Sequence, residues 1–341
     1  MSRVLCSDLA KHIGSTVEVK GWVHRVRALS HVRFILVRDR SGIAQAVLSH
    51  DLAKSPHLVG ETAVSITGKV VEAPNALGGA EVQATDVDIE AIPVAPIPFE
   101  VNLPEISAGL EKTLEHRVVS LRHPKTRAVF KIEAEVIEGF RQFLRANDFT
   151  EVHTPKIVAS GTEGGAELFS VKYFEKDAYL AQSPQFYKQM LVGAGFERVF
   201  EVAPAYRAEE HNTSRHLNEF ISLDLEVGFI DGLEDLLSLE EKLLRHLFAH
   251  VQETCSAELD MFGVTLPEVA AIPRLKLSEI EAILLREYGK TLPNGNIDPE
   301  GERLICRYIE REAGTPFVFV THYPVTARPV YALPDPDAPN L

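Results

Sequence analysis

The residues best suited to chemistry lie in one stretch, Phe200–Phe220 (FEVAPAYRAEEHNTSRHLNEF), continued by ISLDLEVGF. Val199, Phe200 and Val202 lead into it. Phe220, Ile221, Leu223, Leu225 and Val227 lead out, with Ser222, Asp224 and Glu226 between them. Alternation with period two predicts a strand with one apolar and one polar face. Two such strands around Arg207, Glu209, Glu210, His211, Arg215 and His216 predict an antiparallel hairpin that carries arginines and acids at its mouth. A guanidinium at Arg207 can bind a phosphate with two parallel hydrogen bonds. Glu209 can accept from an exocyclic amine, and Phe220 can stack on a base. The hairpin therefore suits a polyanion that carries a base, such as a nucleotide. Taken alone it equally describes a solvated turn laced with ion pairs.

Two further constellations bear on a small ligand. Gly161-Thr162-Glu163-Gly164-Gly165-Ala166-Glu167 flanks an acid with glycines, which permit close backbone approach. Such an acid can meet an ammonium group. In Gln182–Gln189, Gln185 and Lys188 stand three apart on an expected helix Pro184–Val192, with Ser183 as its N-cap, so they share a face. A lysine beside an amide can hold a small carboxylate; an exposed helix face is the plainer alternative. The chain contains no Walker loop, no Rossmann glycine fingerprint and no nucleophile elbow. Its histidines show no metal-ligand pairing.

Around these residues the chain reads as two regions. Residues 1–90 have strand-like runs at 16–23, 32–38, 43–48, 63–72 and 81–90, separated by turns such as Arg40-Ser41-Gly42. Five short strands predict an OB-type barrel. Lys20, Arg25, Arg27, Arg33, Arg38 and Arg40 face a single acid, Asp39, across this region, and Trp22, His24, Phe34 and Gln45 lie among them. Cationic and aromatic side chains on a barrel face suit single-stranded nucleic acid. Trp22 and Phe34 also read as barrel core. Residues 91–110 carry four prolines (Pro93, Pro96, Pro98 and Pro104) and read as a semi-rigid linker. Beyond it, helical patterns at 123–147, 184–192, 231–257, 277–288 and 299–312 surround the hairpin strands. Residues 111–341 thus read as an α+β domain with an antiparallel sheet.

The 341 residues are 45% hydrophobic and carry a net charge of −14. That charge excludes a protein that coats nucleic acid through bulk positive charge. No apolar run approaches a membrane span and no signal peptide opens the chain, so a cytoplasmic protein is expected. The three separated cysteines, Cys6, Cys255 and Cys306, are expected as reduced thiols.

Together these segments resemble the class II aminoacyl-tRNA synthetases over essentially the whole chain, and within them the archaeal-type aspartyl enzymes. FTEVHTP, ending at Pro155, is similar to the family's motif 1, which implies a homodimer through residues 123–155. The hairpin is similar to motif 2. That implies an ATP site of Arg207, Glu209, Arg215, His216, Leu217 and Phe220, with Arg207 on the α-phosphate and on the aspartate carboxylate. TEGGAELF and QSPQFYKQ resemble the aspartate pocket, and they separate this chain from asparaginyl and lysyl relatives. They imply that Glu163 meets the amino group, that Gln185 holds the substrate and that Lys188 reads its side-chain carboxylate. Phe34 and Gln45 match the positions that stack on and read the central anticodon uridine. His24, with Pro74, matches positions that go with relaxed reading of the third anticodon base.

The resemblance implies ATP and Mg²⁺, and L-aspartate activated as aspartyl-adenylate. It implies tRNA(Asp) as acceptor, and through His24 and Pro74 also tRNA(Asn). The family's third motif, with its second ATP-binding arginine and the Mg²⁺-binding acid, is not found between Asp231 and Leu341 and is expected beyond Leu341. The chain as written is therefore expected to be impaired in catalysis. The rival expectations are a non-catalytic tRNA-binding paralogue and an adenylate-forming asparagine synthetase, whose relatives lack the barrel.

Overall fold

The structure is a computed structural model that describes residues 3–29, 32–49, 52, 58–161, 168–209, 217–292, 296–329 and 331–341. It divides into two compact units, Met1–Arg127 and Ala128–Leu341.

The first unit is built on β1 (Thr16–Ala28), β2 (Val32–Arg38), β3 (Ile43–Ser49), β4 (Ala63–Glu72) and β5 (Ala80–Ala91). They close into a barrel in the order β1-β2-β3-β5-β4, as the five-strand pattern predicts. Alternate residues fill it, among them Val17, Val19, Val23, Ile35, Val37, Ala46, Leu48, Val64, Ile66 and Val82. Closure brings backbones close together at two glycines. A Cβ on Gly21 would lie 2.3 Å from the Arg38 carbonyl oxygen, and one on Gly68 would lie 2.2 Å from that of Gln83. No side chain fits either place. Strand β1 runs on to Ala28, past the expected end at Val23, through a register shift between Val23 and Arg25. A bulge of this kind adds one residue and re-aims a side chain, here His24.

Trp22 lies outside the barrel core. It is 38% exposed, with the Arg122 guanidinium 5.1 Å from its ring centroid. Asp39 closes the β2–β3 turn by accepting from the amides of Ser41 (2.7 Å) and Gly42 (3.2 Å), and it also accepts from the Cys6 amide (3.0 Å). Burial, and then the Asp39 charge, push the Cys6 thiol up to about 12. The proline-rich segment packs in this unit. Phe99 and Val101 are buried, and the Asn102 amide donates to the His24 carbonyl at 3.1 Å. Two short helices follow that sequence pattern does not anticipate, α1 (Leu110–Glu115) and α2 (Arg117–Ser120). Neither has a side-chain N-cap to announce it.

Helix α3 (Pro124–Ala146) leads to β6 (Thr150–Glu151), β7 (Ile157–Val158), β8 (Ser170–Tyr173) and β9 (Lys176–Leu180). Then come α4 (Gln185–Leu191), β10 (Arg198–Tyr206), β11 (Glu219–Val227), α5 (Leu233–Thr254) and α6 (Ser256–Phe262). The expected hairpin is present: β10 and β11 pair antiparallel, with Phe200 opposite Leu225 and Ala205 opposite Phe220. Parallel β6 completes the sheet β11-β10-β6, and β7-β9-β8 form a second one. The core joins Phe140 and Leu144 of α3, Phe149, Phe200 of β10 and Leu243 of α5. The apolar stripe of α3 is only partly covered. Ile132 and Val136 pack against Val251, Cys255 and Leu259, while Val129 is 52% exposed. β11 is an outer strand, and Ile221 and Leu223 on its apolar face are exposed.

The remainder is β12 (Arg274–Lys276), α7 (Leu277–Tyr288), α8 (Pro299–Ala313) and β13 (Phe319–Thr321). The two strands pair in parallel, and Ile280, Leu284, Ile305 and Ile309 form a local core between the helices. No helix among the described residues is long and apolar enough to cross a membrane.

Candidate active site

The mouth of the β10–β11 hairpin is closed by one asparagine. Asn218 accepts from the Arg207 amide through its carbonyl (3.0 Å), and its side-chain amide donates to the carbonyls of Arg207 (3.0 Å) and Glu209 (3.1 Å). This ties the two ends of the loop where the strands stop pairing. It also sets the Arg207 guanidinium over the Phe220 ring, 5.4 Å from the centroid. A cation held on an aromatic face keeps its N–H edge free for an anion, while the ring offers a surface for a base. Glu209 is half-buried and Leu217 is exposed beside them. Arg215 and His216 lie outside the described residues, as does Glu163.

Helix α4 lies against the polar face of β11. Ser183 accepts from the Gln185 amide at 3.1 Å, one residue ahead of the Pro184 that precedes the helix. The end of β9 is tied to the end of β10 through the Tyr206 amide and the Ala181 carbonyl (3.0 Å), which fixes the entry to α4. Gln185 and Lys188 share the inner face of this helix, and Asp224 and Glu226 share one face of the strand. Lys188 is buried, with 5% of its side chain exposed. Its Nζ donates to Asp224 Oδ1 (2.9 Å) and to the Leu225 carbonyl (3.1 Å), and lies 3.8 Å from Glu226 Oε2. A buried ammonium requires such partners. Among the described residues two of its three N–H groups have acceptors at hydrogen-bond distance. Ser222 donates a short hydrogen bond to the other oxygen of Asp224, and Gln185 Nε2 donates to Glu226 Oε2 at 3.2 Å. Sequence reasoning found Gln185 and Lys188 but not Asp224 and Glu226 as their partners. The available signal was the pair of acids on the polar face of a strand next to that helix.

Buried Glu201, directly opposite Asp224 across the hairpin, anchors the segment after β6. It accepts from the Thr154 amide (2.7 Å) and hydroxyl (2.8 Å) and from Lys156 Nζ (2.9 Å). Among the described residues no group of three or more potential ligands could hold a metal ion. Asp224 and Glu226 are bound to Lys188 and Gln185, so they do not fit Mg²⁺.

In the first unit, Phe34, Gln45 and Pro74 line one cavity of ≈510 Å³, together with Arg27, Leu29 and Glu81. Gln45 Nε2 donates to Glu81 Oε2 at 2.8 Å. His24 lies elsewhere, in a second cavity of ≈580 Å³ with Glu61, Asn102 and the proline-rich segment. Its Nδ1 accepts from Arg38 at 2.9 Å. Arg38 also donates to Glu61 (2.7 Å), which accepts from Arg122 as well (3.0 Å). Burial, followed by the Arg38 charge, pushes the His24 imidazole down to about 4. The structure thus brings Phe34, Gln45 and Pro74 together and leaves His24 apart from them.

Comparison with known proteins bears on both units. Residues 109–340 match the family described as tRNA synthetases class II (D, K and N), and residues 17–90 match an OB-fold nucleic acid binding domain. The aspartate–tRNA(Asp/Asn) ligase of Deinococcus radiodurans is 45% identical over 339 residues, which cover 98% of this chain and 76% of the relative. The ligase of the same name from Thermus thermophilus is 46% identical, over 98% of this chain and 78% of the relative. Among solved structures, asparaginyl-tRNA synthetase from Pyrococcus horikoshii with asparaginyl-adenylate superposes with a TM-score of 0.90 at 30% identity. That match covers 100% of this chain and 79% of the neighbour.

Proposed function

The chain belongs to the class II tRNA synthetases of the aspartate, lysine and asparagine group, and on that premise we propose that it couples L-aspartate to tRNA(Asp), and to tRNA(Asn), through an aspartyl-adenylate. The observation that carries the choice of aspartate is Lys188, a buried ammonium with two hydrogen-bond acceptors among the described residues, beside an amide on the same helix face. A cation reads a carboxylate in preference to a neutral carboxamide. The ligase names of the sequence relatives favour the same choice.

In the reaction, an oxygen of the aspartate α-carboxylate attacks the ATP α-phosphorus. A new P–O bond forms as the bond to the leaving pyrophosphate breaks. The 3′-terminal hydroxyl of the tRNA then attacks the activated carbonyl and expels AMP. No covalent enzyme intermediate is involved. Arg207 holds the α-phosphate as its charge develops, Phe220 carries the adenine and Glu209 accepts from its amino group. The rate enhancement rests on alignment and on pre-placed charge.

The barrel, residues 1–90, takes the anticodon loop. Phe34 stacks on the central base and Gln45 reads its edge. Residues 91–110 connect it to a catalytic region, 111–341, which dimerises through 123–155. The exposed Val129 and Phe130 of α3 support that surface. Charging of tRNA(Asn) is supported by Pro74 in the Phe34 cavity and by the relatives' names; His24 lies away from that cavity.

The test is aspartate-dependent ATP–pyrophosphate exchange, followed by charging of purified tRNA(Asp) and tRNA(Asn). Exchange with asparagine and not aspartate would overturn the substrate. A chain that binds aspartate and tRNA but exchanges no pyrophosphate would overturn the catalytic reading and leave a binding protein.

A further inference from the structure

The rung at which β10 and β11 part is built by a side chain. The strands pair in register up to Tyr206 opposite Glu219, so Arg207 and Asn218 form the next pair. In an antiparallel ladder such a pair exchanges two main-chain bonds or none. Here the Arg207 amide donates to the Asn218 carbonyl at 3.0 Å, but the Arg207 carbonyl accepts from Asn218 Nδ2, also at 3.0 Å. The second N–H of the same nitrogen reaches the Glu209 carbonyl at 3.1 Å. Both acceptors are carbonyl oxygens, so the amide can point only one way. We propose that Asn218 is a positioning residue that sets nucleotide specificity: it holds the backbone of Glu209 against that of Arg207, and so keeps the Glu209 carboxylate where the 6-amino group of adenine is read. The inference rests on the ATP reading above and deepens it.

Asparagine suits this rung by its chemistry. Aspartate and leucine share its branched shape but have no side-chain N–H, and serine and threonine bring one hydroxyl donor in place of two N–H groups. Without the side chain the hairpin mouth keeps the main-chain bond at Arg207, and the bonds to the Arg207 and Glu209 carbonyls are gone. The two residues held in this way have different tasks. Arg207, with its guanidinium over the Phe220 ring, meets phosphate, which every nucleoside triphosphate carries. Glu209 meets the base. A loosely held carboxylate turns to water, at little cost, when a base has no amino group for it. A carboxylate on a fixed backbone stays in place and is left unpaired, and that penalty rejects the wrong base. Asn218 acts through the backbone, at the two carbonyls, and converts a general acceptor into a selective one.

The experiment compares binding of ATP and of purine riboside triphosphate, which is ATP without its 6-amino group, by titration calorimetry on the full 341-residue chain. Wild type is expected to prefer ATP. Asn218→Leu keeps the shape and adds no charge but removes both donors. The ATP-to-analogue affinity ratio is then expected to fall about 10-fold, the range of one to two hydrogen bonds. Glu209→Ala should abolish the preference. Adding Asn218→Leu to it should change the ratio no further, because residues that act through one group are not additive. A merely structural Asn218 would weaken both nucleotides alike and leave the ratio unchanged in either background. An Asn218→Leu ratio within about twofold of wild type, or a further fall of the ratio in the double variant, overturns the inference. Where Asn218→Leu does not fold, Asn218→Asp, which also lacks the donors, is read in the same way; if neither folds, Asn218 serves the fold and the inference falls. Wild type that binds ATP no better than the analogue, or a Glu209→Ala chain that keeps the preference, removes the assignment of Glu209 to adenine, and this inference with it.

Discussion

Replacing Lys188 by methionine tests the site most directly. Methionine has a similar length and adapts to its cavity, so packing loss adds little. What the substitution removes is the ammonium that pairs with Asp224 and Glu226, whose side chains are 17% and 25% exposed. Breaking a fully buried pair costs about 3–5 kcal/mol because the remaining charge is stranded. Asp224 keeps the Ser222 hydroxyl and some solvent, which places the expected loss lower, at about 2–3 kcal/mol. Binding should suffer more than folding. A ligand carboxylate would enter a pocket that holds two acids and no lysine, so aspartate affinity should fall by at least about 100-fold. Urea denaturation gives the first quantity and calorimetric titration with aspartate the second. Asp224→Asn is the control. It keeps a carbonyl acceptor for Lys188 and lowers the negative charge, so aspartate should bind at least as tightly as to wild type. If Lys188→Met binds aspartate within about twofold of wild type, the assignment of Lys188 to the substrate carboxylate is wrong.

Other expectations concern the first unit. Unfolded His24 takes a proton near its ordinary value of 6.5, while folded His24 takes one only at about 4. Between these values the unfolded chain holds the extra proton. Stability from this group is therefore complete above 6.5 and is lost as pH falls toward 4, by at most about 3 kcal/mol. His24→Asn should flatten the acid limb of a plot of unfolding free energy against pH; an unchanged limb refutes the account. Cys6, buried and pushed up to about 12, should resist iodoacetamide at pH 8 until the barrel is unfolded, whereas half-buried Cys306 should label first by mass spectrometry. Phe34→Ala should weaken tRNA(Asp) binding by about 1–3 kcal/mol, the range for one lost base stack, and unchanged filter binding counts against the groove. Glu81→Gln should narrow the preference for uridine over cytidine at the central anticodon position, measured with anticodon stem-loops.

Much of this architecture is legible from residue pattern. β2 and β4 are rich in β-branched residues, and their ends coincide with the expected ones. The hairpin strands β10 and β11 are likewise legible from their alternation. What pattern does not carry is contact between distant segments. Asp224 and Glu226 read as the solvated face of a strand because nothing local says that α4 covers them; their partners lie 36 and 41 residues away. His24 groups with the aromatic and basic residues by composition alone, because the expected strand ends at Val23. The strand continues through a bulge at this residue, and one added residue sends a side chain to the other face. Trp22 had the composition of a core residue, and its packing against Arg122 depends on a partner a hundred positions away.

The two amides assigned to recognition are held by the same device. Gln45 and Glu81 are direct partners across parallel β3 and β5, and Gln45 Nε2 donates to Glu81 as Gln185 Nε2 does to Glu226. In each case a neighbouring carboxylate, which can only accept, takes the donor end and leaves the acceptor end of the amide for the ligand. For Gln45 the consequence is a distinction among pyrimidines. Uracil carries a hydrogen at N3 and can donate to Oε1, while cytosine has a lone pair there and cannot. For Gln185 it is a distinction between an ammonium and its absence. A glutamine alone is indifferent to such pairs of ligands, because it can present either end at little cost. Discrimination arises when a fixed acceptor meets a ligand that lacks the donor and leaves it unpaired, which costs more than a mismatch of shape. The proposed recognition at both glutamines therefore makes Glu226 and Glu81 the residues at which conservative substitution should change selectivity while leaving the fold intact.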